Sequence, residues 1–278
     1  MIELSTGLSG CRLELIGNNI IRKYSSDIKY NQRLSLQVDK QVLFSNLILK
    51  NIDAPKIYEV NRNELFYFDM EYIHGESFYD YFMTSTIFDV EFVIQSLIEY
   101  FNFFSSNIRN INVQDQVLSK LSNLQDKTNY KDYLTFLHSY VEKNKIIVPK
   151  TFCHGDLTFA NIIFHKNRLF FIDFLDSYVD SFYCDLVKLK QELYHLWNLR
   201  VQNKMNLRMI QIYRKIWGEL SLKYHEHIQS DEFEILDVLN TLRIEPYLTN
   251  DNQRFILNKM VTSTKLYEKF NNSNGREI

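Results

Sequence analysis

The sequence predicts an α+β chain of two lobes, a small β-rich N-terminal lobe with one main helix and a larger helical C-terminal lobe. Three observations carry this expectation. Short apolar runs separated by turn residues fill the first 74 positions. From Ser77 onward apolar residues recur at helical spacing. A single β-rich patch, Thr151 to Phe174, interrupts the helical part.

Taken in order, Arg12–Ile16 and Asn19–Tyr24 read as strands around a Gly17-Asn18-Asn19 turn. Arg33–Asn46 carries Leu34, Val38, Leu43 and Phe44 at helical intervals, and Ala54-Pro55 ends that element. Tyr58–Val60 and Leu65–Tyr72 read as two further strands. Long amphipathic helices are expected over Tyr79–Asn107 and Asp115–Lys143, and helical patterns resume over Cys184–His225 and through most of Asp231–Phe270. The lobe boundary is placed at His74-Gly75, giving lobes 1–74 and 75–278.

Bulk properties exclude several classes. The chain has 278 residues, enough to bury a sizeable core without disulfide staples. A net charge of −2 points to neither nucleic acid nor an anionic membrane as partner. Cys11, Cys153 and Cys184 are odd in number and widely spaced, which argues against a disulfide framework or a zinc site. Met1-Ile2-Glu3-Leu4 has no basic stretch followed by an apolar run, and no uninterrupted apolar stretch reaches membrane-spanning length. A cytoplasmic protein is expected.

The chemistry concentrates in Phe152-Cys153-His154-Gly155-Asp156-Leu157-Thr158-Phe159-Ala160-Asn161, followed by Leu169-Phe170-Phe171-Ile172-Asp173-Phe174. Two acids and an amide stand at loop-like positions between apolar strand segments. Phosphoryl transfer needs one carboxylate to orient the attacking hydroxyl and take its proton. It also needs oxygen ligands that hold Mg²⁺ against a triphosphate. Asp and Asn are common wherever strands end, but that explanation does not account for all three in this order.

His154-Gly155-Asp156 with Asn161 resembles the H-G-D-x-x-x-x-N catalytic loop of the aminoglycoside phosphotransferase and choline kinase family, whose fold is protein-kinase-like. Ile172-Asp173-Phe174 resembles its metal-binding segment. The resemblance implies ATP and Mg²⁺ as cofactors. It implies Asp156 as catalytic base, Asn161 and Asp173 as metal ligands, and His154 as a structural support of the loop. Thr6-Gly7-Leu8-Ser9-Gly10 would then cover the phosphates, with Gly7, Ser9 and Gly10 offering backbone N–H groups; taken alone it is an ordinary turn.

Lys23 stands where the family places its α/β-phosphate lysine. Arg22 points to the opposite strand face, so only one of the two enters the cleft, and Lys23 is favoured. The family's helix glutamate is missing. Asp39 is the only acid in that stretch, while Gln37 or Gln41 would substitute through a neutral hydrogen bond. Phe68-Asp69-Met70-Glu71-Tyr72-Ile73-His74-Gly75 resembles the linker whose backbone meets the adenine edge, through Glu71 and Ile73. Asp185 matches a family aspartate that caps a helix and braces the catalytic loop, and its place before an apolar run makes it an N-cap candidate locally.

The acceptor is expected to be a small hydroxylated metabolite, a sugar or polyol. Lys and Arg outnumber Glu over Lys188–Lys223, which suits a polycation poorly. Arg33-Leu34 with Lys40-Gln41, Ile172–Ser177 and Leu242–Tyr247 also resemble phosphotransferase-like proteins of bacterial surface-polysaccharide gene clusters. Alternatives are a choline or aminoglycoside kinase, with Tyr194, Trp197 and Tyr213 as candidates for an aromatic box, and a nucleotide-binding pseudokinase or scaffold. Leu175 in place of the D-F-G glycine opposes a protein kinase.

Overall fold

The computed structural model describes residues 2–4, 11–106 and 109–273. In chain order the first strands are β1 (Ile2–Leu4), β2 (Cys11–Ile16) and β3 (Ile20–Ser25), followed by α1 (Asn31–Ser45). Then come β4 (Ile52–Asp53), β5 (Ile57–Asn61) and β6 (Tyr67–Glu71), and the helices α2 (Phe78–Thr84) and α3 (Ile87–Ser105). β7 (Arg109–Asn112), α4 (Gln114–Leu124), α5 (Lys131–Lys143) and β8 (Ile147–Lys150) precede the hairpin β9 (Ile162–His165) and β10 (Arg168–Phe171). The rest is helical: α6 (Phe182–Leu189), α7 (Trp197–Val201), α8 (Leu207–Lys223) and α9 (His225–Ile228). α10 (Asp231–Leu242), α11 (Asp251–Thr262) and α12 (Lys265–Ser273) complete it.

Two compact units emerge. The first takes the described residues up to Asn102 together with His154–Ser177; the second takes those of Phe103–Cys153 and of Tyr178 onward. This differs from the single boundary read at His74-Gly75. The reason is aromatic packing. Tyr100 of α3 and Phe171 of β10 both meet Phe44 of α1, at centroid distances of 6.2 and 5.7 Å, and Tyr81 of α2 stacks on Phe164 of β9 at 4.3 Å. Each ring buried this way contributes roughly 1.5–3 kcal/mol from area alone.

In the first unit, β1-β2-β3-β6-β5 form one antiparallel sheet. The β2–β3 turn relies on Gly17, whose φ of +66° suits a residue without Cβ. Helix α1 buries Leu34, Val38 and Phe44 at helical spacing. Leu34 and Val38 share a core with Cys11, Phe66 and Phe68 of the sheet side. A second sheet, β4-β10-β9, places the β9–β10 hairpin beside parallel β4. Gly75 closes against this hairpin: a Cβ there would lie 2.6 Å from Phe164 O.

Two expected long helices are each broken. Thr86 and Asp89 cap α3 reciprocally, with Asp89 Oδ2 accepting from Thr86 N at 2.6 Å, so α2 and α3 separate. In the second unit, Glu245 accepts from Thr128 Oγ1 and from Asn129 N and Nδ2, the last at 2.6 Å, which holds the α4–α5 turn open. β7 and β8 pair antiparallel on either side of α4 and α5. α10 is the buried axis of this unit and packs against α4, α6, α11 and α12. Among the described residues no helix is long and apolar enough to cross a membrane.

Candidate active site

Lys23 is the side chain of β3 that turns inward. It is 6% exposed, and its Nζ donates to Gln37 Oε1 at 3.0 Å and to the Asp173 carboxylate. Arg22, one residue earlier, faces the other way. It makes a two-pronged pair with Asp69, both contacts at 2.8 Å, and lies over the Tyr67 ring. The Asp69 hydrogen bond raises the Arg22 guanidinium further above its already high pKa, so its charge is fixed.

Asp39 does not reach Lys23. It is exposed on α1 and accepts from Arg62 Nη2 at 2.7 Å. The cause is helical geometry: α1 buries Leu34, Gln37, Val38 and Gln41, and Asp39 lies about 200° around the helix from Gln37. The helix partner of Lys23 is therefore neutral. Gln41 is used elsewhere, donating to Pro55 O at 2.8 Å. Lys40 was not foreseen as part of this region. Its Nζ donates to Leu175 O at 2.7 Å and ties α1 to the segment after Asp173.

The segments carrying Asp156, Asn161 and Asp173 are laced together by three hydrogen bonds. His154 Nε2 donates to Ile172 O at 2.9 Å, Leu175 N donates to His154 O at 2.9 Å, and Ile172 N donates to Asn161 O at 3.0 Å. His154 is fully buried, and its Nδ1 accepts the Asp156 N–H at 3.2 Å. A carbonyl on one ring nitrogen and an N–H on the other select the neutral Nε2–H tautomer. Gly155 has φ +89°, and a Cβ there would lie 2.3 Å from Leu175 O, so only glycine fits this crossing.

Asn161 Nδ2 donates to Asp156 O at 2.9 Å and to Asp156 Oδ2 at 3.2 Å. This fixes the amide and directs its Oδ1 limb away from Asp156. Asp173 adopts φ +63°, an uncommon left-handed conformation for a residue with a Cβ. Among the described residues no cluster of three His, Cys, Asp or Glu could hold a metal on protein ligands alone. One carboxylate and one amide oxygen suit Mg²⁺, which takes few protein ligands and completes its shell with phosphate oxygens and water.

The remaining sequence-predicted positions are distributed as follows. Glu71 ends β6, with its N–H donated to Lys56 O at 2.8 Å. Ile73 has a buried side chain, and its carbonyl accepts from Gly75 N at 2.9 Å. Gly7, Ser9 and Gly10 lie outside the described residues. Asp185 is fully buried but is not an N-cap. Ser181 caps α6, and Asp185 sits within its first turn because the helix begins earlier than the apolar run suggests. Of the residues expected for an aromatic box, Tyr213 is buried and donates to Glu192 Oε1 at 3.0 Å, while Tyr194 is exposed and lies near Trp217.

Comparison with known proteins follows this geometry. The model of the Phosphotransferase enzyme family matches residues 44–222. Among solved structures, the streptomycin–ATP ternary complex of APH(2")-IIa superposes with a TM-score of 0.61 at 15% identity, covering 95% of this chain and 91% of the other. ADP-bound aminoglycoside phosphotransferase APH(2'')-Ib gives 0.60 at 16% identity, covering 94% and 92%. A thermostable mutant of aminoglycoside phosphotransferase APH(4)-Ia, with AMP-PNP and hygromycin B, gives 0.58 at 11% identity, covering 93% and 90%. At these identities the likeness establishes a shared fold. No curated protein sequence matches significantly.

Proposed function

The chain belongs to the phosphotransferase enzyme family, and on that premise we propose that it moves the γ-phosphoryl group of ATP, with Mg²⁺, onto a hydroxyl of a small sugar or polyol. One observation carries this reading: the lacing of His154–Asn161 to Ile172–Leu175, with Lys23 donating to Asp173. It supports reading Asp156 as base, Asn161 and Asp173 as oxygen ligands and Lys23 as phosphate-binding cation, the set that phosphoryl transfer requires.

In this reading Asp156 takes the acceptor proton as the new O–P bond forms and the bond to the β-phosphate oxygen breaks, releasing ADP. Asn161 Nδ2 orients the Asp156 carboxylate. Asp173 and Asn161 would hold Mg²⁺, which would supply charge neutralisation of the phosphates. Lys23 transfers from Asp173 to the α/β-phosphates. The Glu71 carbonyl and the Ile73 N–H meet the adenine edge, and Gly7, Ser9 and Gly10 cover the phosphates. His154 and Asp185 act as structural supports. A cytoplasmic location, where ATP is available, is part of this proposal.

The aminoglycoside reading draws support from the fold shared with aminoglycoside phosphotransferases. One assay separates the two. The purified protein is incubated with MgATP and a panel of sugars, polyols, amino alcohols and aminoglycosides, and products are read by mass spectrometry. A gain of one phosphate on a sugar or polyol supports the proposal. Transfer confined to aminoglycosides replaces it with the second reading, and no transfer with no MgATP binding removes the kinase assignment.

A further inference from the structure

The helical unit contains a cavity of about 390 Å³, large enough for a small metabolite. Its polar rim is basic. Lys120 lies on α4, Lys127 on the turn that follows, and Arg243 at the C-cap of α10. Tyr178, Leu239 and Tyr247 supply its apolar faces, and no acidic side chain is among its lining residues. None of the three cations pairs with a carboxylate among the described residues. Lys120 Nζ instead stands 5.4 Å from the centroid of the Tyr178 ring. Burial raises the Tyr178 phenol above its ordinary pKa, and the Arg243 charge opposes that rise.

The cluster is built, not incidental. Glu245 spends its carboxylate on Thr128 and Asn129, next to Lys127, and so binds the turn carrying Lys127 to the turn carrying Arg243. Three like charges around an apolar concavity repel one another and gain from a shared counter-anion.

We propose that this cavity is a binding site for a small hydroxylated anion, a sugar or polyol that carries a phosphate or a carboxylate. Lys120, Lys127 and Arg243 recognise the oxyanion through charge-assisted hydrogen bonds, and the Tyr178 and Tyr247 rings pack against the carbon skeleton. A polycation would meet only like charge here.

The test is calorimetric titration of the full chain, preloaded with Mg²⁺ and AMP-PNP, using glucose 6-phosphate, glycerol 3-phosphate, gluconate, glucose and kanamycin. The same titrations are run on the double variant K120Q/R243Q. Saturable binding of at least one anion, no tighter binding of glucose or kanamycin, and at least tenfold weakening in the variant are expected. Phosphate and carboxylate probes differ in which arm responds. Raising NaCl from 50 to 500 mM should weaken the anion several-fold. Absence of binding by all three anions, preference for glucose or kanamycin, or unchanged anion affinity in the variant overturns the proposal. AMP-PNP affinity is measured first. Its loss in the wild type would count against the kinase reading itself, while its retention within twofold in the variant shows that the nucleotide site is intact.

Discussion

Lys23 Nζ donates to the carboxylate of Asp173, a residue 150 positions further along the chain. The pair joins the central strand of one sheet to the loop beyond the other, and among the described residues Gln37 is the only helix side chain bonded to the same ammonium. Lys23→Ala should raise the KM for ATP at least tenfold in a coupled kinase assay. Arg22→Ala should leave KM within twofold and cost about 1 kcal/mol of stability, because its pair with Asp69 is partly exposed.

The neutral partner gives a second discriminating pair. Gln37→Leu removes the buried acceptor of Lys23 and should raise the KM for ATP several-fold. Asp39→Ala breaks only an exposed contact with Arg62 and should change neither KM nor kcat. The opposite ranking would mean that α1 rotates when nucleotide binds.

Glycine replacements report on the loop crossing. Gly155→Ala forces a Cβ to 2.3 Å from a backbone oxygen at φ +89° and should destabilise by at least about 2 kcal/mol in chemical denaturation. Gly218→Ala, in α8 with nothing within 4 Å, should stabilise by up to about 1 kcal/mol. The contrast separates steric demand from helix propensity.

The pH dependence of stability should show a histidine signature. Burial holds His195 down at about 4, and burial also lowers His227. A depressed imidazole binds fewer protons folded than unfolded, so stability is full above about pH 6.5 and falls as pH drops toward 4. The loss should be on the order of 2 kcal/mol for His195. Asp89 and Asp231, lowered by their hydrogen bonds, yield theirs only at more acidic pH. His195→Gln should flatten the decline between pH 6.5 and 4.5 in thermal melts without abolishing it.

The sheet, α1 and the loop bearing Asp156 were legible because local pattern determines them. Apolar runs on either side of Gly17-Asn18-Asn19 place β2 and β3, and the spacing of Leu34, Val38 and Phe44 places α1, although Leu43, also counted in that pattern, is exposed. What failed to show depends on distant partners. The α4–α5 break is enforced by Glu245, more than a hundred residues away, and β7 pairs with a strand beyond two helices. Charge alone points to Asp39, whereas the buried stripe of α1 carries Gln37. Asp185 read as a cap because the apolar run after it hid Ser181 as the earlier start.

The assignment of Asp156 as the base is tested most directly by steady-state kinetics and MgATP titration on Asp156→Asn, using the best acceptor from the panel. The substitution keeps the size of the side chain beside Asn161 but removes the carboxylate that would take the proton. The prediction is a kcat lower by roughly a thousandfold or more, with MgATP affinity within threefold of the wild type. Near-normal turnover in that variant would contradict the account.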